Sequence, residues 1–389
     1  MNIKLKLKIN EYTHEEIYLF FVFVLVFRAV SMYSQVLKIY MDKIDFIWTL
    51  LSFGVAIMII LTARTINLIQ FWVLSFCCGL GVIVYILHGW SQLIFLTILF
   101  VYSKGKDPHK IASIIFKTLV TVFVFNILCT VYFILFDQSN LYIRNSFHES
   151  RPQLDLSCGG HPNHTACIWN AIMMLYFYKK WNCLNKVNLI IILITTGILY
   201  VFVGSDALFL VVGMTMLYII RNNKTIKKVL SIFVKYSMLI LLGFSLIYKW
   251  VSKVPFLYGF ANWINTLSTG RFLLSSTAID RYGVTVLGKT VEMGLIKTNG
   301  VTEYLYVDNS YVYMLISQGI IYILLLQLLL FVGSKYLDFK SLSIVSVLLL
   351  YGLIETSMTN YIMIFPFLNV MICIYLFNRI PDKGKGKVK

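Results

Sequence analysis

The chain is organised into apolar blocks too long to be the buried face of a soluble element. Residues 66–87, for example, contain no charged side chain at all. About twenty consecutive apolar residues are enough to cross roughly 30 Å of hydrocarbon as a helix. Backbone inside hydrocarbon must satisfy its own hydrogen bonds, which leaves helices or a closed barrel. The period-two alternation of a barrel strand is absent, so the blocks read as helices. Composition agrees: of 389 residues, 59% are hydrophobic and 13% charged, where a soluble domain keeps about a quarter charged.

The blocks predict an all-α, polytopic helix bundle of about twelve spans, forming a single membrane domain over 1–389. They fall at 17–37, 44–62, 66–87, 89–103, 111–136, 166–180, 187–203, 205–220, 229–248, 310–332, 341–357 and 360–379. The fourth and eighth are short enough to be half-helices. The net charge of +17 is not a nucleic-acid footprint, because the cations sit in short segments between apolar blocks, where they fix orientation. With a cytoplasmic N-terminus, the inner segments collect Lys104, Lys106, Lys110, Lys179, Lys180, Lys186, Arg221, Lys224, Lys227, Lys228, Lys335 and Lys340. The tail ends in Lys383, Lys385, Lys387 and Lys389, so an even span count puts both termini on the cytoplasmic side. The basic start is followed by Glu15, Glu16 and a full-length span, so no cleavable signal peptide is expected. Cysteines inside spans act as small hydrophobes, while Cys158 and Cys167 bracket a polar segment that a disulfide could close.

Two long segments break the rhythm, and both fall on the outer side: 137–165 and 249–309. In the second, Trp263, Leu267, Leu274, Ala278 and Tyr282 recur at helical spacing. They predict one interfacial amphipathic helix that carries Arg271 and Arg281 above the leaflet, with Ser268 and Thr269 able to cap a helix before Arg271.

No nucleotide loop, dinucleotide fingerprint, zinc-protease helix or nucleophile elbow is present. The absence of a nucleotide-phosphate loop argues against an ATP-driven pump, and no metal or cofactor is expected. What remains is polar chemistry at the outer face. Gly159 to His164 reads Gly-Gly-His-Pro-Asn-His directly before the sixth span. Histidine is the natural proton acceptor near neutral pH, which makes His161 a candidate base with Asn163 and His164 beside it. The same triplet is also what a helix start with a surface histidine looks like, since Pro and Asn favour the first turn. Arg144, Arg151, Arg271 and Arg281 are the arginines of the two outer loops. A guanidinium forks onto phosphate oxygens and keeps its charge at any working pH, and attraction to lipid headgroups is the other reading of the same residues. Asp308 and Asn309 open the tenth span, followed by Tyr311; either can cap it. Inside or near spans, Arg28, His88, Asn126, Asp206 and Glu355 are expensive. Glu355 lies near the outer end of the eleventh span, within reach of an outer-face site.

Taken in order, these elements resemble the Wzy-type polysaccharide polymerases, relatives of the O-antigen ligases. The elements are Arg151 before Gly159-Gly160-His161-Pro162-Asn163, then Thr269-Gly270-Arg271, Tyr282-Gly283 with Leu287-Gly288, and Asp308-Asn309-Ser310-Tyr311, followed by Glu355. The resemblance runs over most of residues 140–370; the first five spans match only in hydropathy. Two departures stand out: Gly160 occupies a position where the family often has an aromatic, and Ser205-Asp206 one where it often has Ser-Arg. The resemblance carries no phosphate-binding role over to that second turn.

The resemblance implies a GT-C-like membrane glycosyltransferase of the bacterial cytoplasmic membrane. Such an enzyme joins polyprenyl-diphosphate-linked oligosaccharide repeat units at the outer face without a metal. Its partners would be that lipid-linked substrate, membrane lipids, and the flippase and chain-length regulator of the same pathway. It implies His161, Arg271 and Arg151 as catalytic residues, with Asn163, His164, Arg281, Asp308, Asn309, Tyr311, Glu355 and Arg144 on the substrate. A ligase that passes finished polymer to an acceptor is the nearest alternative. A flippase or transporter is the more distant one, and would be expected to show internal repeats and charges deep in several spans.

Overall fold

A computed structural model of the protein describes residues 11–63, 66, 68–136, 143–145, 152–154, 156, 162–268, 270–298 and 301–356. The chain is a helical, multi-pass membrane protein. Among the described residues, five helices are long and apolar enough to cross a membrane: Val36–Thr62, Gln70–His88, Pro108–Phe136, Lys186–Val203 and Lys224–Val251.

In chain order the first helices are α1 (Glu11–Ser31), α2 (Gln35–Thr62), α3 (Leu68–His88), α4 (Gln92–Val101) and α5 (Pro108–Phe136). Then follow α6 (Pro162–Lys180), α7 (Lys186–Val203), α8 (Phe209–Ile219) and α9 (Lys224–Val251). The remaining helices are α10 (Tyr258–Leu267), α11 (Arg271–Tyr282), α12 (Ser310–Ser317), α13 (Gly319–Gly333) and α14 (Phe339–Tyr351). The two segments expected to be short are short: α4 has 10 residues and α8 has 11. At 1.5 Å per residue, α4 covers only about half of the hydrocarbon thickness. The last expected span, 360–379, lies outside the described residues.

The helices sort into an inner and an outer set. Tyr18, Phe21 and Val22 of α1, Phe95 and Leu99 of α4, Phe177 of α6 and Leu349 of α14 are wholly buried. The outer helices keep large side chains exposed, such as Trp72 and Phe76 on α3, Leu128 and Leu135 on α5, and Val201 on α7. That apolar rim is what lipid would cover. Small residues line the inner contacts, with Ser341, Ser343 and Ser346 of α14 all buried, which lets helices approach closely. Arg28, expensive within a span, is paired: its Nε and Nη2 donate to Asp45 Oδ1 at 3.0 and 2.6 Å, tying α1 to α2.

The tenth expected span is not continuous. It breaks between α12 and α13, where Gly319 adopts φ 85°. The segment after α11 fills the gap. Lys289 N donates to Ile316 O at 2.8 Å, while Ile320 N and Ile321 N donate to Thr285 O and Val286 O at 3.1 and 3.3 Å. Helix-end groups that would otherwise lack partners are satisfied by this loop. Gly288, also at positive φ, packs so tightly there that a Cβ would lie 2.1 Å from Ser317 O. Part of the long segment 249–309 therefore packs against the break between α12 and α13, about 10 Å from Ser310 along α12.

The amphipathic helix expected from Trp263 to Tyr282 is two helices. Gly270, at φ 85°, turns the chain between α10 and α11 and occupies the N-cap position without a side-chain cap. Ser268 does not cap α11; its Oγ donates back to Asn265 O at 3.0 Å. Asn265 Oδ1 instead accepts from Leu273 N at 3.0 Å, so a residue of α10 caps the next helix. Two antiparallel strand pairs lie in the two long interhelical segments: β1 (Ile143–Asn145) with β2 (Pro152–Leu154), and β3 (Gly294–Thr298) with β4 (Val301–Leu305).

Candidate functional site

The first turn of α6, the residues after α7, the start of α11, the residues before α12 and those after α14 meet at one end of the bundle. Arg271 is the hub. Its Nε donates to Asp308 Oδ2 at 3.1 Å and its Nη2 reaches Glu355 Oε1 at 3.5 Å. Asn163 Nδ2 donates to the same Glu355 oxygen at 2.7 Å, and Ser205 Oγ donates to Asn163 Oδ1 at 2.8 Å. Ser310 Oγ bonds the Glu355 carbonyl. The Arg271, Asp308 and Glu355 side chains keep 17%, 22% and 16% of their surface exposed, so the cluster is sheltered yet reachable from the bundle end.

Local sequence explains each placement. Asn309 caps α12, its Oδ1 accepting from Tyr311 N and Val312 N at 3.0 and 3.2 Å. That cap points the preceding Asp308 away from the helix and toward α11. Arg271 sits in the first turn after the Gly270 bend. Gly204 ends α7 in the left-handed region at φ 65°, which turns Ser205 inward and leaves Asp206 exposed. Burial raises the Asp308 carboxyl above its ordinary range, and the Arg271 charge only partly offsets this. One guanidinium thus serves two carboxylates in a sheltered place. Its remaining N–H groups are available to a further acceptor.

Of the residues expected in the site, Arg271, Asp308, Glu355 and Asn163 are brought together. His161 and Arg151 lie outside the described residues. Arg144 lies on β1, opposite Gln153. His164 faces the end of α1, its ring 4.5 Å from that of Tyr33. Three residues are placed elsewhere. Tyr311 is wholly buried, its hydroxyl donating to Leu349 O at 2.5 Å. Asn309 is buried too, with Nδ2 donating to Ser245 Oγ at 2.8 Å. Both belong to the helix interfaces that carry the cluster. Arg281 is exposed in the last turn of α11, over the Tyr282 ring at 5.9 Å. It lies ten residues from Arg271, about 15 Å along the helix.

Sequence reasoning missed Ser205 and Ser310. Ser205 sits in a tight turn beside the exposed, charged Asp206. The signal that could have found both is polar residues at apolar-block ends that share one side of the membrane. Among the described residues no three His, Cys, Asp or Glu side chains group so as to hold a metal ion, and Cys167 is a free, buried thiol.

Fold and cluster together define a helical multi-pass membrane protein with a sheltered Arg–carboxylate–amide centre at one end. No protein-family model, curated protein or solved structure matches the chain.

Proposed function

We propose that the protein is a membrane glycosyltransferase that polymerises polyprenyl-diphosphate-linked oligosaccharide repeat units, in a twelve-span GT-C-like bundle with both termini in the bacterial cytoplasm. One observation carries the reading. Four elements separated by up to 192 residues, represented by Asn163, Arg271, Asp308 and Glu355, converge on one carboxylate–guanidinium cluster. Carboxylates, an amide and a guanidinium are the groups that read sugar hydroxyls and phosphate oxygens.

In the proposed reaction an acceptor sugar hydroxyl attacks the anomeric carbon of the donor unit. The bond from that carbon to the phosphate oxygen breaks, polyprenyl diphosphate leaves, and the hydroxyl proton passes to a base. His161 is the proposed base. Arg271, with Arg151, stabilises charge developing on the departing diphosphate, a role fixed cations fill without a metal. Asp308, Glu355 and Asn163 orient Arg271 and accept or donate to sugar hydroxyls. An arriving diphosphate competes with Asp308 and Glu355 for the guanidinium, so Arg271 has an alternative partner before the donor binds and after it leaves.

The test is direct. Purified protein incubated with one lipid-linked repeat unit should yield a ladder of longer products, and cells lacking the protein should accumulate single units on lipid. Long polymer in the deletion strain would sink the proposal. Accumulated long lipid-linked polymer would instead identify a ligase.

A further inference from the structure

A second constellation lies at the opposite end of the bundle. Helices α6 and α14 both run from the Arg271 cluster to this end. Here the last turn of α6, the first turn of α14 and the first turn of α5 come together around Tyr178, which is 1% exposed. Lys340 of α14 places its ammonium 4.1 Å from the centre of the Tyr178 ring. His109 of α5 stacks on that ring at 5.3 Å. Lys179 of α6 lies over Phe116 at 4.9 Å and donates to Ser113 Oγ at 3.2 Å.

Among the described residues, neither Lys179 nor Lys340 has a carboxylate within ion-pair reach. Asp107 accepts from His109 N, Glu15 pairs with Lys110, and Asp338, which accepts from Ser341 N at the start of α14, acts on Lys340 electrostatically without a direct ion pair. Two half-buried lysines thus rest their ammonium groups on aromatic faces and a hydroxyl rather than in a direct ion pair. The first turns of α5 and α14 add the positive ends of two helix dipoles. Trp181, just beyond α6, packs on Phe339 at 6.2 Å and on Tyr218 at 5.0 Å. Amphipathic aromatics of this kind are enriched at headgroup depth.

We infer that the end of the bundle where α5, α6 and α14 meet, carrying Lys179, Lys340, His109 and Ser113, binds the phosphate of an anionic phospholipid headgroup. The aromatic rings position the lysines, the dipoles reinforce them, and the lipid phosphate supplies a direct ion-pair partner. This binding is independent of the chemistry proposed at Arg271.

The experiment uses the full-length protein in bilayer nanodiscs of phosphatidylcholine with a minor fraction of phosphatidylglycerol, read by native mass spectrometry of retained lipid. Wild type is expected to keep phosphatidylglycerol preferentially. A cation near a membrane surface contributes a factor of about five in binding. Lys179→Gln with Lys340→Gln should therefore lower retention about thirtyfold, while the paired Arg substitutions preserve it. The exposed pair Lys224→Gln and Lys227→Gln removes the same charge from α9 and should leave retention near wild type. Equal losses from both pairs, or no preference in wild type, would overturn the inference in favour of a generally basic face. Amine-labelling of wild type gives a readout that needs no variant: Lys340 and Lys179 should be protected by phosphatidylglycerol and not by phosphatidylcholine. Protection by inorganic phosphate alone, without lipid preference, would reject a headgroup as the ligand.

Discussion

Asn163 donates to the Glu355 carboxyl group at 2.7 Å across 192 residues of sequence, joining the first turn of α6 to the residues that follow α14. The same Asn163 accepts from Ser205, so one amide bridges three separate elements. A buried hydrogen bond is worth about 0.5–1.5 kcal/mol between neutral groups and about 1.5–3 kcal/mol to a charged one, so about 1–3 kcal/mol brackets this contact. Asn163→Ala should lower thermal stability by about that amount, and a double-mutant cycle with Glu355→Gln should show coupling of about 1 kcal/mol or more. Additive losses would mean the contact contributes nothing of its own. Asn163→Asp should be worse than alanine, because it sets a new carboxylate against Glu355.

The bundle was legible because hydrocarbon imposes a simple rule on sequence, and apolar length is a local property. Asp308, Glu355 and Asn163 could be named from their positions at block ends, and Arg271 as an arginine of the long polar segment 249–309. Their bonding could not, because it depends on how helices far apart in sequence stack. The discontinuity at Gly319 was hidden for a different reason. The run from Ser310 to Gly333 is apolar enough on average to read as one span although Ser317-Gln318-Gly319 interrupts it, and hydropathy does not register a glycine with positive φ that matches a second glycine in a distant loop. Likewise the apolar spacing from Trp263 to Tyr282 persists across the Gly270 bend, since both short helices place apolar residues at similar intervals.

Gly288→Ala is expected to prevent normal accumulation of the protein. A methyl there would meet Ser317 O at 2.1 Å, and the backbone is at φ 85°, which alone costs an L-residue about 1–2 kcal/mol. Gly319→Ala should behave similarly, with its Cβ 2.4 Å from Gly288 N. Gly243→Ala is the comparison: it lies within α9 with nothing within 4 Å of the added carbon. That change should be neutral or stabilising by up to about 1 kcal/mol. Membrane yield and thermal midpoint of the three variants check the ranking.

Asp308 makes stability depend on pH in a definite direction. Burial raises its folded-state carboxyl above the unfolded value of about 3.9. A raised folded pKa means that its stabilising contribution is complete below the unfolded pKa and is lost as pH climbs through the folded one. Going upward from about pH 4, wild type should therefore lose stability relative to Asp308→Asn, which cannot titrate there. A difference that grows in the opposite sense would mean that the Arg271 pairing outweighs burial.

Arg271→Lys is the sharpest test of the cluster. The guanidinium reaches Asp308 through Nε and Glu355 through Nη2, two directions that one planar fork spans. A lysine ammonium keeps the charge but is a single point, without the fixed fork that also suits phosphate. If Arg271 holds a diphosphate during transfer, losing a charge-stabilising donor is expected to cost a hundredfold or more in rate, as such donors typically do (about 2.7–4 kcal/mol). The variant should still reach the membrane at wild-type levels, since a positive charge remains between the two carboxylates. Arg281→Lys provides the contrast: exposed, over the Tyr282 ring and far along α11, it should leave polymer length and rate within about twofold of wild type. The rates come from the lipid-linked repeat-unit assay, with membrane levels measured in parallel. Equal, mild effects at both positions would reduce Arg271 to a structural ion pair. Equal, severe effects would extend the site along α11 to Arg281.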